Sequence, residues 1–226
     1  MIRRLPILAG LATAGMVVAG LLIFLYAPAD AVEGEVQRIF YLHVATAIGA
    51  FVAFTTVAVA GVVYLLRESR TADRIALAAA EVGLLFTSVT LVMGSIYGKG
   101  IWGTYWTWDA RLTSTLVLWL MYAAYLLVRR IASPGRQAAR FAAVVGIVGA
   151  LDIPVVYFSV KWWRTQHPDS VLVTPSGPAL PAEMLYAFLV TLLATLFLGF
   201  VLGLVRYRLE VMSETVAITL EERLAA

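Results

Sequence analysis

Six long apolar stretches, each ended by charge or by loop-forming residues, govern what this chain can become. They run from Leu5 to Tyr26, Ile39 to Leu66, Ile75 to Tyr97, Leu112 to Val128, Phe141 to Val160 and Met184 to Val205. A hydrocarbon core about 30 Å thick takes about 20 helical residues to cross, and five of the six stretches reach that length. The fourth has only 17 residues, but Trp119, Tyr122 and Tyr125 keep it compatible with lipid. The second has 28, which predicts a helix that tilts or protrudes at one end. The expected fold is all-α, a polytopic membrane protein with six transmembrane helices. Composition agrees, because 14% charged residues is far below the roughly 25% of a water-soluble domain and too little to coat one. A disordered segment is excluded by the same apolar content, and a disulfide-stapled secreted module by the absence of cysteine.

The longest connection, Lys161 to Glu183, leaves no room for a soluble domain. Residues 1–226 therefore read as one six-helix membrane domain, with an outer tryptophan-rich loop (98–111) and a cytoplasmic C-terminal tail (206–226). Arg3 and Arg4, an apolar run and Ala27-Pro28-Ala29 imitate a signal peptide with its cleavage site. The run has 22 residues, however, beyond the roughly 7–15 of such a segment, so a retained first helix is expected.

Lys and Arg are unevenly divided between the two sides. One side gathers Arg3, Arg4, Arg67, Arg70, Arg74, Arg129, Arg130, Arg136, Arg140, Arg206, Arg208 and Arg223, which is twelve; the other has Arg38, Lys99, Arg111, Lys161 and Arg164, which is five. Basic residues favour the cytoplasmic side, so both termini are expected there. The net charge of +3 then reads as a topology signal, and nucleic acid binding loses its support.

With that orientation the scarce residues fall outside. The only two histidines are His43, near the outer end of the second stretch, and His167, in the outer loop after the fifth. Trp102, Trp106, Trp108, Trp162 and Trp163 lie on the same side, whereas the inner connections 67–74 and 129–140 contain no aromatic residue. An aromatic belt would populate both interfaces. The segment Trp102-Gly-Thr-Tyr-Trp-Thr-Trp-Asp109 packs four large rings into seven residues, a density suited to a flat, apolar, conjugated ligand. Two imidazoles fall short of the three protein ligands zinc requires. Iron in a porphyrin already has four nitrogens and needs only axial ligands. Lys99, Arg111, Lys161 and Arg164 are candidates for the ligand's carboxylates. The combination points to a haem site on the outer face, with His43 and His167 as axial ligands.

The same residues carry a resemblance. Trp102-Gly-Thr-Tyr-Trp-Thr-Trp-Asp-Ala-Arg-Leu-Thr-Ser114 is similar to the tryptophan-rich WWD signature of haem-handling proteins. Phe40-Tyr-Leu-His43 and Tyr157-Phe-Ser-Val-Lys-Trp-Trp-Arg-Thr-Gln-His167 resemble the histidine-bearing segments of one branch, the CcmC or haem exporter protein C family of cytochrome c maturation. The resemblance covers nearly the whole chain. It implies a multi-pass protein of the bacterial cytoplasmic (inner) membrane that holds haem b as cargo, facing the periplasm or cell exterior. It implies presentation of that haem to a membrane-anchored outer-face haem chaperone, beside an ABC-type ATPase, its permease and a small single-span subunit. It implies no catalysis by this chain, any ATP hydrolysis belonging to a partner. His43 and His167 match the family's axial ligands. Trp102, Tyr105, Trp106, Trp108 and Asp109 match its haem-presenting loop, with Arg111, Trp162 and Trp163 in the matching segments. Tyr105 stands where the family usually has a second tryptophan, which keeps an aromatic face but reduces its area.

Other features carry less. Tyr97-Gly98-Lys99-Gly100 lacks the GxxxxGK[ST] pattern and the magnesium-binding hydroxyl of a phosphate loop. Glu81 and Asp152 lie within apolar stretches, where carboxylates are functional suspects by default; a proton relay and a paired or protonated acid both remain open. Asp109 reads equally as the cap of the fourth helix and as a contact to ligand or chaperone. The charged and apolar residues after Val205 mix as in an amphipathic surface helix. Three other roles compete with haem presentation, of which a purely structural assembly subunit would leave the tryptophan-rich loop unexplained. A permease moving haem through the bilayer would need a polar path, for which only Glu81 and Asp152 offer groups. An electron-transfer subunit would favour histidines within the helices, unlike His167.

Overall fold

The computed structural model describes residues 4–131, 135–163, 165–168 and 170–225. Arg3 and Arg164, assigned above to the inner and outer sides, lie outside the described residues, as does Ala226 at the end of the tail. Seven helices carry the fold: α1 (Leu5–Leu21), α2 (Arg38–Arg67), α3 (Arg70–Trp102), α4 (Ala110–Ile131), α5 (Arg136–Ala150), α6 (Asp152–Trp162) and α7 (Ala182–Ala225). With α5 and α6 crossing in series, they form six helical segments long and apolar enough to span a membrane. Among the described residues there is no strand beyond an isolated antiparallel bridge between Asp30 and Gly34. The all-α, six-span expectation is met.

The helices outrun the apolar stretches because local signals at their ends set their limits. α2 stops where Glu68 turns left-handed (φ 50°), its N–H donating to the Tyr64 carbonyl at 2.7 Å. Ser69 then caps α3 by accepting from the Ala72 N–H at 3.3 Å. Two residues thus fold α2 and α3 into an antiparallel pair. Glycines allow their axes to approach, as small residues do between membrane helices. A Cβ on Gly49 would lie 2.7 Å from the Phe86 ring, and one on Gly83 would lie 2.4 Å from the Phe54 ring. Each helix therefore seats a phenylalanine in the other's glycine notch. Thr46 and Thr90 join side chain to side chain at 2.9 Å one turn further toward the aromatic end.

The fifth stretch is two helices in series, broken beside Asp152 and Pro154, where a proline kink is expected. Leu151 breaks it, its N–H reaching Val148 and Gly149 carbonyls in a tight turn. Pro154, lacking an N–H, cannot bond back to Ala150 and resists a continuous helix. Asp152 begins α6, and its Oδ2 is buried with no hydrogen-bond partner in the chain. Glu81 is instead paired, with Arg206 of α7 at 2.5 Å.

Ion pairs concentrate at one end of the bundle. Arg74 meets Glu214 and Arg129 meets Asp73, each at 2.5 Å. Glu68 holds Arg136 at 2.5 Å and Arg140 at 2.7 Å. Several arginines counted as topology charges are also fasteners between helix ends. The tail after Val205 is not a separate surface helix, because α7 runs unbroken for 44 residues.

At the opposite end, α1 opens into a π-helical turn, Leu22–Tyr26, with the Ala27 N–H reaching the Leu22 carbonyl at 2.8 Å. Arg38 at the start of α2 pins this wide turn, donating to the carbonyls of Ile23 and, at 3.0 Å, Ala27.

Candidate functional site

His43, the tryptophan-rich loop and His167 converge at the end of the bundle away from the ion pairs. His43 and His167 are within electrostatic reach of one another, and Arg111 is within reach of both.

His43 sits on the α2 face that meets α3. Its Nδ1 lies 3.0 Å from the Thr90 carbonyl, and since a carbonyl only accepts, Nδ1 carries the proton. The ring lies directly over Gly94, where a Cβ would stand 2.8 Å from Cε1 and 3.3 Å from Nδ1. Tyr97 closes edge-on from one turn further, ring centroids 6.4 Å apart. The Tyr97 hydroxyl donates to Glu33 of the turn between α1 and α2, and that turn is fixed by Asp30 Oδ1 accepting from the N–H groups of Val32 (2.8 Å) and Glu33 (2.9 Å).

The loop is ordered by its own backbone chemistry. Gly103 leaves α3 in the left-handed region (φ 76°), conformationally open to glycine, and donates to the Lys99 carbonyl at 3.2 Å. Lys99 returns a bond from Nζ to the Gly103 carbonyl at 2.8 Å and lies over the Tyr105 ring at 5.5 Å. Lys99 is thus engaged in shaping the loop. Trp106 and Trp108 meet edge to face at 5.5 Å. Trp108 is 76% exposed and Tyr105 61%, so both rings are offered outward. Asp109 caps α4, its Oδ1 accepting from the Leu112 N–H at 2.9 Å. Its Oδ2, with Trp106 Nε1, Thr107 Oγ1 and Thr113 Oγ1, is buried and has no hydrogen-bond partner in the chain. Such a concentration of unpartnered polar atoms is uncommon in a finished interior and suits a surface completed by something else.

His167 enters from the loop between α6 and α7. Trp102 meets it edge-on, centroids 6.2 Å apart. Its Nδ1 faces Arg111 Nη1 at 3.2 Å and the Pro168 carbonyl at 3.1 Å, accepting from the first in one tautomer and donating to the second in the other. Arg111 Nη2 donates to the Tyr157 carbonyl at 2.9 Å, linking α4 to α6. Burial, and then the Arg111 charge, hold the His167 imidazole below the ordinary histidine range, so it is neutral at pH 7, the form with a lone pair to give. His43 has Nδ1 occupied and Nε2 left for a ligand, the arrangement of metal-binding imidazoles oriented by their other nitrogen, and His167 takes the same form in the tautomer that donates to Pro168. Among the described residues no three His, Cys, Asp or Glu gather as a metal site. A metal that brings most of its own ligands fits this donor set.

Trp162 and Trp163 join a second aromatic array. Trp162 stacks on Phe158 at 5.5 Å and meets Trp163 at 5.8 Å. These two tryptophans are 56% and 52% exposed. Lys161 is exposed at the end of the same helix. The structure adds Thr90, Gly94, Tyr97 and Glu33, which sequence reasoning missed. The spacing Gly94-x-x-x-Gly98 was the available signal, since such pairs mark close contacts between membrane helices.

Comparison with known proteins follows the same lines. The profile of the family described as "Heme exporter protein C" matches residues 1–221. The chain is 36% identical to "Heme exporter protein C" of Haemophilus influenzae over 189 residues, 84% of this chain and 77% of that one. It is 37% identical to the protein so described in Bradyrhizobium diazoefficiens over 214 residues, 95% of this chain and 81% of that one. It is also 36% identical over 159 residues to a ccmC-like mitochondrial protein of cytochrome c biosynthesis from Marchantia polymorpha, 70% of this chain and 67% of that one.

Proposed function

The chain belongs to the Heme exporter protein C family, and on that premise we propose that it handles haem in cytochrome c maturation by binding it at the outer membrane face and presenting it to a chaperone. The observation that carries this reading is the convergence of His43 and His167 beside the tryptophan-rich loop, His43 with Nδ1 held on a carbonyl and Nε2 free, and His167 with the Pro168 carbonyl in place to hold the same tautomer. Haem b is cargo and the chain performs no catalysis. When bound, haem supplies an iron with two axial positions. His43 and His167 give those positions imidazoles, Trp102, Tyr105, Trp106 and Trp108 offer ring faces, and Arg111 stands where it can meet a propionate.

Orientation follows the Lys/Arg asymmetry: the ion-paired end and both termini in the cytoplasm, the aromatic end outside, in a bacterial inner membrane. The partners are those of the family context: an ABC-type ATPase with its permease, a small single-span subunit and a membrane-anchored haem chaperone. The exposed rings of Tyr105, Trp108, Trp162 and Trp163 are the surface offered to that chaperone. A permease role is disfavoured because Phe54, Phe86 and Tyr122 fill the middle of the bundle, all nearly fully buried.

Spectroscopy of the haem-loaded protein tests the reading. A six-coordinate low-spin spectrum is expected, altered or lost in His43→Ala and in His167→Ala. Unchanged spectra in both variants would remove the axial ligands. Trp106→Ala with Trp108→Ala should slow transfer to the chaperone, and undiminished transfer would reduce the loop to a membrane anchor.

A further inference from the structure

We infer that Gly94 is a positioning residue for haem: by leaving the α3 surface bare it opens the Thr90 carbonyl to His43 and so fixes that imidazole in its ligating tautomer. The inference rests on the reading of His43 as an axial ligand, and it concerns how the chain prepares that ligand before haem arrives.

A helical side chain leans toward the N-terminus and covers the turn preceding it. The side chain of residue 94 would therefore cover the carbonyl of residue 90. Glycine leaves that carbonyl accessible to a second donor from another helix, and His43 takes the place with Nδ1 at 3.0 Å. The fit has no slack, since a single methyl at 94 would stand 2.8 Å from Cε1, 3.3 Å from Nδ1 and 3.7 Å from Nε2.

The ring cannot escape by a shift of its helix. Thr90 holds α2 twice, its carbonyl receiving His43 and its hydroxyl joined to Thr46 at 2.9 Å. The Thr46 hydroxyl is itself tied to the carbonyls of Leu42 (2.8 Å) and His43 (3.0 Å). Any group at 94 must rotate the imidazole about its own side-chain bonds, away from the carbonyl. On its other side the ring meets Tyr97, whose hydroxyl is anchored on Glu33. Backbone and rings of α3 thus set both the direction of the His43 lone pair and which nitrogen carries it. Glu33 links that setting to the turn between α1 and α2.

The chain's two histidines make the test direct. Nitrogen NMR on histidine-labelled, haem-free protein in detergent at pH 8 resolves two imidazoles, and His167→Ala assigns them. The expected result is His43 with the proton on Nδ1 and an unprotonated Nε2. A proton on Nε2 of His43 in the wild-type protein overturns the inference, whether or not any variant folds. Gly94→Ala should then move the His43 signals off that tautomer and weaken haem binding about tenfold or more, the scale on which lost outer partners act on metal ligands. Tyr97→Phe, which keeps the ring but releases Glu33, should change the haem spectrum less than Gly94→Ala does. A folded Gly94→Ala protein with wild-type imidazole signals and spectrum also overturns the inference. Failure of the axial reading is separate: His43→Ala would leave the haem spectrum untouched while the haem-free tautomer stood as described.

Discussion

Phe54 of α2 and Tyr122 of α4 stack face to face, ring centroids 3.7 Å apart and planes within 14°. The Tyr122 hydroxyl passes beyond the stack and donates to the Gly146 carbonyl of α5 at 2.9 Å, so one side chain joins three helices. Tyr122→Phe should keep the stack and lose about 0.5–1.5 kcal/mol, the net worth of one hydrogen bond. Tyr122→Ala should lose about 3–5 kcal/mol, as deletion of a buried ring usually does. Thermal unfolding in detergent compares the two; equal losses would show that the hydroxyl, not the ring, binds the helices.

Gly83→Ala should destabilise the protein although alanine is the better helix former by about 1 kcal/mol. Its methyl would stand 2.4 Å from Phe54 Cε1, and overpacking of that kind costs about 1–3 kcal/mol. Phe54→Leu in the same protein should restore part of the loss. A stabilised single variant would mean the notch has room.

Asp73→Ala should be more damaging than its removal together with Arg129. The pair is bidentate, at 2.5 and 2.9 Å, with the side chains 21% and 16% exposed. Stranding one partner of a desolvated pair costs about 3–5 kcal/mol, whereas removing both can be nearly neutral. A double-mutant cycle on unfolding midpoints measures the coupling, and a coupling near zero would make the pair decorative.

Asp109 is predicted to separate its two roles on substitution. Asn keeps an oxygen for the Leu112 N–H, so Asp109→Asn should retain the cap, while Asp109→Ala should lose about 0.5–2 kcal/mol with it. If the buried second carboxylate oxygen orients the haem-presenting loop, transfer of haem should fall in both variants, independently of stability. Normal transfer by the Asn variant would leave Asp109 as a cap alone.

What the sequence discloses here depends on how local the governing physics is. The six spans are legible because crossing lipid demands length and apolarity within one contiguous stretch, as Leu5 to Tyr26 shows. The Asp109 cap is legible because acceptor and donor are three residues apart. His43 and His167 stand out through scarcity. Thr90 and Gly94 do not, because their meaning depends on the register of α3 against α2, set by Gly49, Gly83 and the Thr46–Thr90 contact. Arg38 was counted among the outer charges, yet it serves the free carbonyls of a π turn that no composition rule announces. The break at Leu151 is legible in part, because Asp152 and Pro154 interrupt an otherwise apolar run and mark the place for a kink.

The unbroken course of α7 has a mechanical consequence. At about 1.5 Å per residue its 44 residues make a rod far longer than a bilayer's hydrocarbon core, and no proline interrupts it. It is bolted to α3 through Glu81–Arg206 and Arg74–Glu214, while its first turn follows directly on the loop that carries His167. A rod held in this way acts as one lever, so a tilt imposed beyond Glu214 would displace the end of that loop at Ala182, more than thirty residues away.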